Sequence, residues 1–218
     1  MMNLAEYRRT STRLADFLPW AALVAPGVVL NKDGSFQRSA RFRGPDLDSA
    51  VQAELIAVAG RLNNAFRRLG SGWAIFVEAQ RHAVGAYPAS QFPDPASAMV
   101  DAERKADFEE DAVHYESSYF LTFAFLPPAE DAARAESWLY EGKAERGVDA
   151  WEALRGFVDR TDRILQLVEA FMPECGWLDD VETLTYLHST VSTKRYRVRV
   201  PETPMYLDAL VADQPLTG

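Results

Sequence analysis

Val28-Val29-Leu30-Asn31-Lys32-Asp33-Gly34-Ser35-Phe36-Gln37-Arg38-Ser39-Ala40-Arg41-Phe42-Arg43 is the stretch on which the reading of the fold rests. An Asp-Gly pair between two apolar-rich runs predicts a β-hairpin, because glycine takes a φ > 0 position at no steric cost. The second run alternates. Phe36, Ala40 and Phe42 share one face with Arg38, while Gln37, Ser39, Arg41 and Arg43 lie opposite. An antiparallel sheet is therefore expected to begin here.

Downstream, Gly44-Pro45 ends the strand and Asp48 is a plausible N-cap. Val51, Leu55, Val58, Leu62, Phe66 and Leu69 then recur at three- and four-residue spacing up to Gly70, which predicts an amphipathic helix. A strand is expected from Trp73 to about Arg81, then a Pro-rich loop over 87–95 and a peripheral charged helix over about 96–111. The strand expected over 115–126 is apolar on both faces. Tyr119, Leu121, Phe123 and Phe125 point one way, and Phe120, Ala124 and Leu126 the other, as in a central strand covered on both sides.

Pro127-Pro128 breaks that strand, and helices are expected over about 129–141 and 151–171. Trp151, Leu154, Val158, Leu165, Val168 and Phe171 form the core stripe of the second, and Pro173 stops it. Asp179 with Glu182 three residues on is a capping-box pattern opening a short helix, with Leu184, Leu187 and Val191 as its buried face. A final strand is expected over 194–200, and the last residues, Pro215 to Gly218, read as loop. The order of elements predicts an α+β fold: a mixed, mainly antiparallel sheet with helices packed on it, plus a helical segment. Residues 1–128 supply the hairpin-containing sheet portion. Residues 129–218 supply a helical portion that returns a strand to the same domain.

Composition narrows the function. The 218 residues carry 32 acidic and 23 basic side chains, a net charge of −9, which disfavours nucleic acid as a direct partner. A single cysteine, Cys175, excludes an intramolecular disulfide. Arg8, Arg9 and Arg13 imitate a positive n-region, but Asp16, Pro19 and Trp20 interrupt the run that a signal peptide would need next. The uncharged stretch 17–30 is about fourteen residues, too short and too broken by Pro19, Pro26 and Gly27 to span a bilayer. Its Leu18, Trp20 and Leu23 need a cover. The expected cover is the domain's own core, with part of the surface left as a candidate interaction site for a partner.

No catalytic constellation emerges. The phosphate-cradling pattern G-x-x-x-x-G-K-[ST] is absent: Gly142-Lys143 is followed by Ala144. His82, His114 and His188 lack metal-spaced partners, so no metal or cofactor site is expected. Asp179 and Asp180 are explained by helix capping, and Cys175 beside Trp177 as a small core residue. The clearest electrostatic feature is Arg195, Arg197 and Arg199, which a period of two places on one face of a strand. Pairing with the surplus acids is the plain explanation; an anionic partner is the functional one.

Several segments, taken in order, resemble the opening of the TrbE-type conjugal transfer ATPases, the CagE/TrbE/VirB family of type IV secretion systems. They are Phe17-Leu18-Pro19-Trp20, Val28 to Phe36, Arg41 to Leu47, Arg61-Leu62-Asn63-Asn64, Leu69 to Trp73, Trp177-Leu178-Asp179-Asp180, Tyr186 to Ser192, and Leu207-Asp208-Ala209-Leu210. The resemblance implies a much longer protein of which this chain is the front portion. ATP and Mg are then expected only in a C-terminal RecA-like part. It also implies a non-catalytic docking and assembly role, at the cytoplasmic side of the inner membrane and peripheral to it. Small inner-membrane subunits and other copies of the ATPase are the partners implied. The rival is a stand-alone hydrolase using Asp, Glu and His without a recognisable motif. Converging carboxylates in a deep pocket would favour that rival, and an exposed apolar surface would favour docking.

Overall fold

The computed structural model describes residues 13–46, 48–110, 114–128, 147–203 and 205–214, without the side chains of 147–150. The hairpin forms as expected: β2 (Val28–Asn31) pairs with β3 (Phe36–Arg43), and Gly34 occupies the left-handed region at φ 82°. Asp33 stabilises the turn by accepting from the Ser35 amide (3.0 Å) and hydroxyl (2.7 Å).

The segment before the hairpin is a short helix, α1 (Leu14–Phe17), and a strand, β1 (Trp20–Ala25), that pairs antiparallel with β2. This strand is not foreseen by the sequence pattern, because Trp20-Ala21-Ala22-Leu23-Val24-Ala25 shows no polar alternation. Leu18 and Trp20 are buried in the chain's own core and Leu23 is half-buried, packed against the same cluster. The internal cover is thus the one that forms for Leu18 and Trp20, which are closed to a partner in this fold.

After β3 come α2 (Gln52–Phe66), β4 (Trp73–Val84), α3 (Pro95–Glu110) and β5 (His114–Phe125). α2 starts later than Asp48 would have it. Its first turn is closed by Glu54, whose carboxylate accepts from the Val51 amide at 3.0 Å. β5 lies between β3 and β4 in the order β1-β2-β3-β5-β4, and Phe123 at its centre is fully buried. The central position expected from two apolar faces is therefore correct.

The second half supplies α4 (Gly147–Glu169), β6 (Glu174–Trp177), α5 (Asp180–Val191) and α6 (Leu207–Ala212). The helix expected over 129–141 and the terminal residues 215–218 lie outside the described residues. Two of the elements expected here are overturned. Residues 194–200 form no strand; the strand that returns to the sheet is β6, which pairs with β3 from Ala40↔Trp177 to Arg43↔Glu174. A helix, α6, stands near the end, where the sequence pattern predicts none. Every ladder is antiparallel.

The middle of the sheet is covered on both faces. On one side α4 buries Leu154, Phe157, Thr161, Ile164, Leu165 and Val168, a three-and-four stripe seated against Phe36, Phe123 and Trp73. Trp151, expected in that stripe, is half exposed instead (50%). Arg38 ties this layer together. Its guanidinium donates to Asp162 at 2.6 Å and lies over the Trp177 ring at 4.0 Å, and the Trp177 indole donates to the same carboxylate at 2.8 Å. Burial lowers the Arg38 pKa, and the hydrogen bond and charge of Asp162 oppose that shift.

On the other face α5 and α6 bury Leu184, Leu187, Leu207 and Val211 with Leu18, Trp20 and Phe120. The capping box is present: Asp179 accepts from the Glu182 amide at 2.7 Å, and Glu182 accepts from the Asp179 amide at 3.1 Å. Asp180, beside it, accepts from the Gly27 amide at 2.7 Å and so fastens the β1–β2 turn to the helix start. Lys32 does the same for the hairpin, reaching Asp208 on α6 (2.8 Å) and the Ala15 carbonyl (2.8 Å).

Candidate functional site

β4 and β5 are longer than the rest of the sheet. Their ladder runs from Trp73↔Phe125 to Val84↔His114, whereas β3 accompanies β5 only as far as Tyr119. The last part is a two-stranded arm carrying α3, a helix without buried residues. At the arm's tip the His114 ring stacks on Phe108 (3.8 Å), which meets Tyr87 edge-on, and the Tyr87 hydroxyl donates to Asp101 at 2.7 Å.

Where the arm leaves the sheet, β3, β4, β5, α5 and segment 194–197 surround a cleft of about 170 Å³. Phe120, Tyr186 and Tyr196 give it aromatic walls. These walls are fixed by a hydrogen-bond network. The Tyr186 hydroxyl donates to Glu78 at 2.9 Å, and the Gln80 amide donates to Glu78 (2.7 Å) and Ser189 (2.9 Å). Arg195 donates to the Gln80 carbonyl at 2.6 Å. Burial, with the Glu78 carboxylate beside it, pushes Tyr186 up to about 12 although its bond to Thr122 acts the other way. This phenol is a neutral structural donor at ordinary pH.

Arg195 and Arg197 line the cleft with Arg41 and Lys194; Arg199 does not. All three arginines are exposed and Val198 between them is buried, but Val200, which the same period would turn inward, is 39% exposed, so the alternation holds only as far as Arg199. The Val198 amide donates to the Thr185 hydroxyl at 3.0 Å, which holds the segment on α5 in place of a ladder. Among the described residues Lys194, Arg197 and Arg199 have no carboxylate partner, and Arg195 is bound by neutral oxygens. Arg41 and Gln80 escape sequence reasoning because the site draws them in from distant positions, Gln80 and Arg195 being 115 residues apart, whereas Lys194 stands next to Arg195 in the chain.

Among the described residues the cleft has one lining carboxylate, Glu182, already engaged as the capping-box partner and lying 3.6 Å from Arg41. Two-carboxylate chemistry has no second member there. Among the described residues no group of His, Cys, Asp and Glu could hold a metal ion. His188 is buried and within 3.3 Å of the Tyr196 hydroxyl, His82 lies 3.8 Å from Glu116, and His114 belongs to the arm's stack. Cys175 sits on β6 with its thiol pushed up to about 11 by burial and by the charge of Glu169, which suppresses the reactive thiolate.

Apolar surface is exposed elsewhere. On β4 Phe76 is 59% and Val77 67% exposed, one on each face, and no described strand pairs with the outer edge of β4. On α2 the expected core residues Val51 and Leu55 are exposed, as is Ile56; only the C-terminal end, with Ala65 and Phe66, packs against the body. No helix among the described residues is long and apolar enough to cross a membrane.

The described residues thus form an antiparallel sheet clad by helices, an α+β architecture. Comparison with known proteins gives the family. Residues 27–133 match the family described as "Type IV secretion system ATPase VirB4/TrbE, N-terminal domain". The chain is 33% identical over 97% of its length to "Conjugal transfer protein TrbE" of Rhizobium radiobacter, of which it spans 28%. It is 37% identical over 66% of its length to the first piece of a probable conjugal transfer protein TrbE of Sinorhizobium fredii (strain NBRC 101917 / NGR234), covering 99% of that piece. The chain belongs to the VirB4/TrbE family, as an N-terminal portion of a TrbE-type conjugal transfer ATPase.

Proposed function

We propose that this chain is the non-catalytic docking and assembly domain of a conjugal transfer ATPase, holding it at the cytoplasmic side of the inner-membrane secretion complex. The observation that carries this reading is the outer β4 edge, with which no described strand pairs, and Phe76 and Val77 exposed on its two faces. Exposed, unpaired edges are usually blunted by charge, proline or cover, because they pair with other chains. An edge that keeps large apolar side chains fits strand addition by a partner protein. Backbone bonds would supply affinity, and pockets around Phe76 and Val77 specificity. The occupant we assign is a small inner-membrane subunit of the same complex.

The test is recruitment. Phe76→Asp with Val77→Asp should leave the thermal midpoint of the chain nearly unchanged, since both side chains are exposed. The same variant should lose co-purification with the membrane subunits. Normal recruitment of the double variant would refute the assignment of this edge. ATP and Mg act, on this reading, in the C-terminal part of the relatives' longer chain. This chain should not hydrolyse Mg·ATP, and phosphate release above the buffer rate would argue against a non-catalytic role.

A further inference from the structure

The cleft between the sheet and α5 has no part in the docking reading. In a chain with net charge −9, Arg41, Lys194, Arg195 and Arg197 face one small space with a single lining carboxylate. Lys194 and Arg197 pair with no described acid, although acids outnumber bases. The walls are pre-arranged: Gln80 is buried and fixed by Glu78 and Ser189, and it in turn holds Arg195. The opposing charge, Glu182, is tied to the start of α5 by its capping bond and lies beside Arg41.

We infer that this cleft binds a phosphate group. Several guanidinium forks and an ammonium around about 170 Å³ suit a compact, multiply charged oxyanion, to which arginine donates in parallel pairs. A single side-chain carboxylate would leave most of those donors unused. The phosphate has two chemical sources, a free phosphate ester or the headgroup of an anionic lipid. The aromatic side chains of Tyr186 and Tyr196 beside the cations can receive the carbon skeleton of either.

Titration of the full chain with inorganic phosphate and with glycerol 3-phosphate, followed by calorimetry or amide chemical shifts, tests the inference. Saturable binding is expected. Lys194→Gln with Arg197→Gln should weaken it by about tenfold or more. Arg199→Gln removes the same kind of charge from the same segment outside the cleft and should leave binding intact. If the double variant melts early, each single substitution is compared with Arg199→Gln. Flotation with phosphatidylglycerol vesicles against phosphatidylcholine vesicles separates the sources. Cleft-dependent vesicle binding identifies a lipid headgroup, and binding of the soluble esters alone identifies a free ligand; either result supports the site. Three results would overturn it: no saturable binding of either phosphate, equal weakening by Arg199→Gln, or binding of an acidic peptide but no phosphate. The Phe76→Asp, Val77→Asp variant should keep phosphate binding, so loss of the docking reading and loss of this one are distinguishable.

Discussion

At Gly27 the backbone sits at φ +66°, and a Cβ added there would lie 2.3 Å from the Leu178 carbonyl oxygen. The turn and the start of α5 touch backbone to backbone, and only hydrogen fits between them. Gly27→Ala should therefore cost well over about 1 kcal/mol, because neither the dihedral nor the space suits alanine. Chemical denaturation of the variant measures this, and a loss within error would mean that the turn relaxes. Tyr186 makes a second residue-scale prediction. Its folded pKa of about 12 exceeds the ordinary tyrosine value of 10.0, so above pH 10 the native state keeps a proton that the unfolded chain has released. Stability contributed by that proton is intact below pH 10 and declines as pH rises toward 12. Tyr186→Phe should flatten that alkaline decline, read as unfolding midpoints against pH. The candidate cleft is legible in the sequence only as Arg195 and Arg197. Both stay exposed in three dimensions, with Lys194 beside them in the chain, but Arg41 and Gln80 join them through tertiary packing, which no local pattern encodes.

Elements are legible where local chemistry and tertiary demand agree. Asp33-Gly34 sets the hairpin, Asp179 and Glu182 set the start of α5, and two apolar faces place β5 at the centre of the sheet. Phe123→Ala should accordingly cost about 3–5 kcal/mol in denaturant unfolding, the range for a buried phenylalanine. Trp20→Ala should be similarly costly, because Trp20 belongs to the core shared with Leu184 and Leu207. A thermal midpoint unchanged by Trp20→Ala would contradict its burial. Reading fails where one condition is missing. β6 is only Glu174-Cys175-Gly176-Trp177, too short for a period, and it becomes a strand because β3 offers it an edge. Segment 194–199 alternates as a strand would without a strand's ladder, since one-sided docking on a helix at Val198 buries alternate residues just as a sheet does, and the pattern ends at the exposed Val200. α6 spans six residues and has no side-chain cap to announce it. α2 shows the converse: a regular apolar stripe whose N-terminal half stays exposed.

For the molecule as a whole, β3 has three strand partners: β2 beside its first residues and β6 beside its last on one edge, and β5 along the other. Its ladders bring Ala40 against Leu121 and against Trp177, so its hydrogen bonds are complete only when segments far apart in the chain have met. Loops of that size must close before their contacts repay the lost chain entropy, and antiparallel sheets joined in this way assemble slowly, on the millisecond-to-second scale. A ribosome would release β3 and β5 well before β6 emerges, with Phe42 and Tyr119 waiting beside an unfilled edge. During that interval the nascent chain presents the kind of open strand that chaperones recognise.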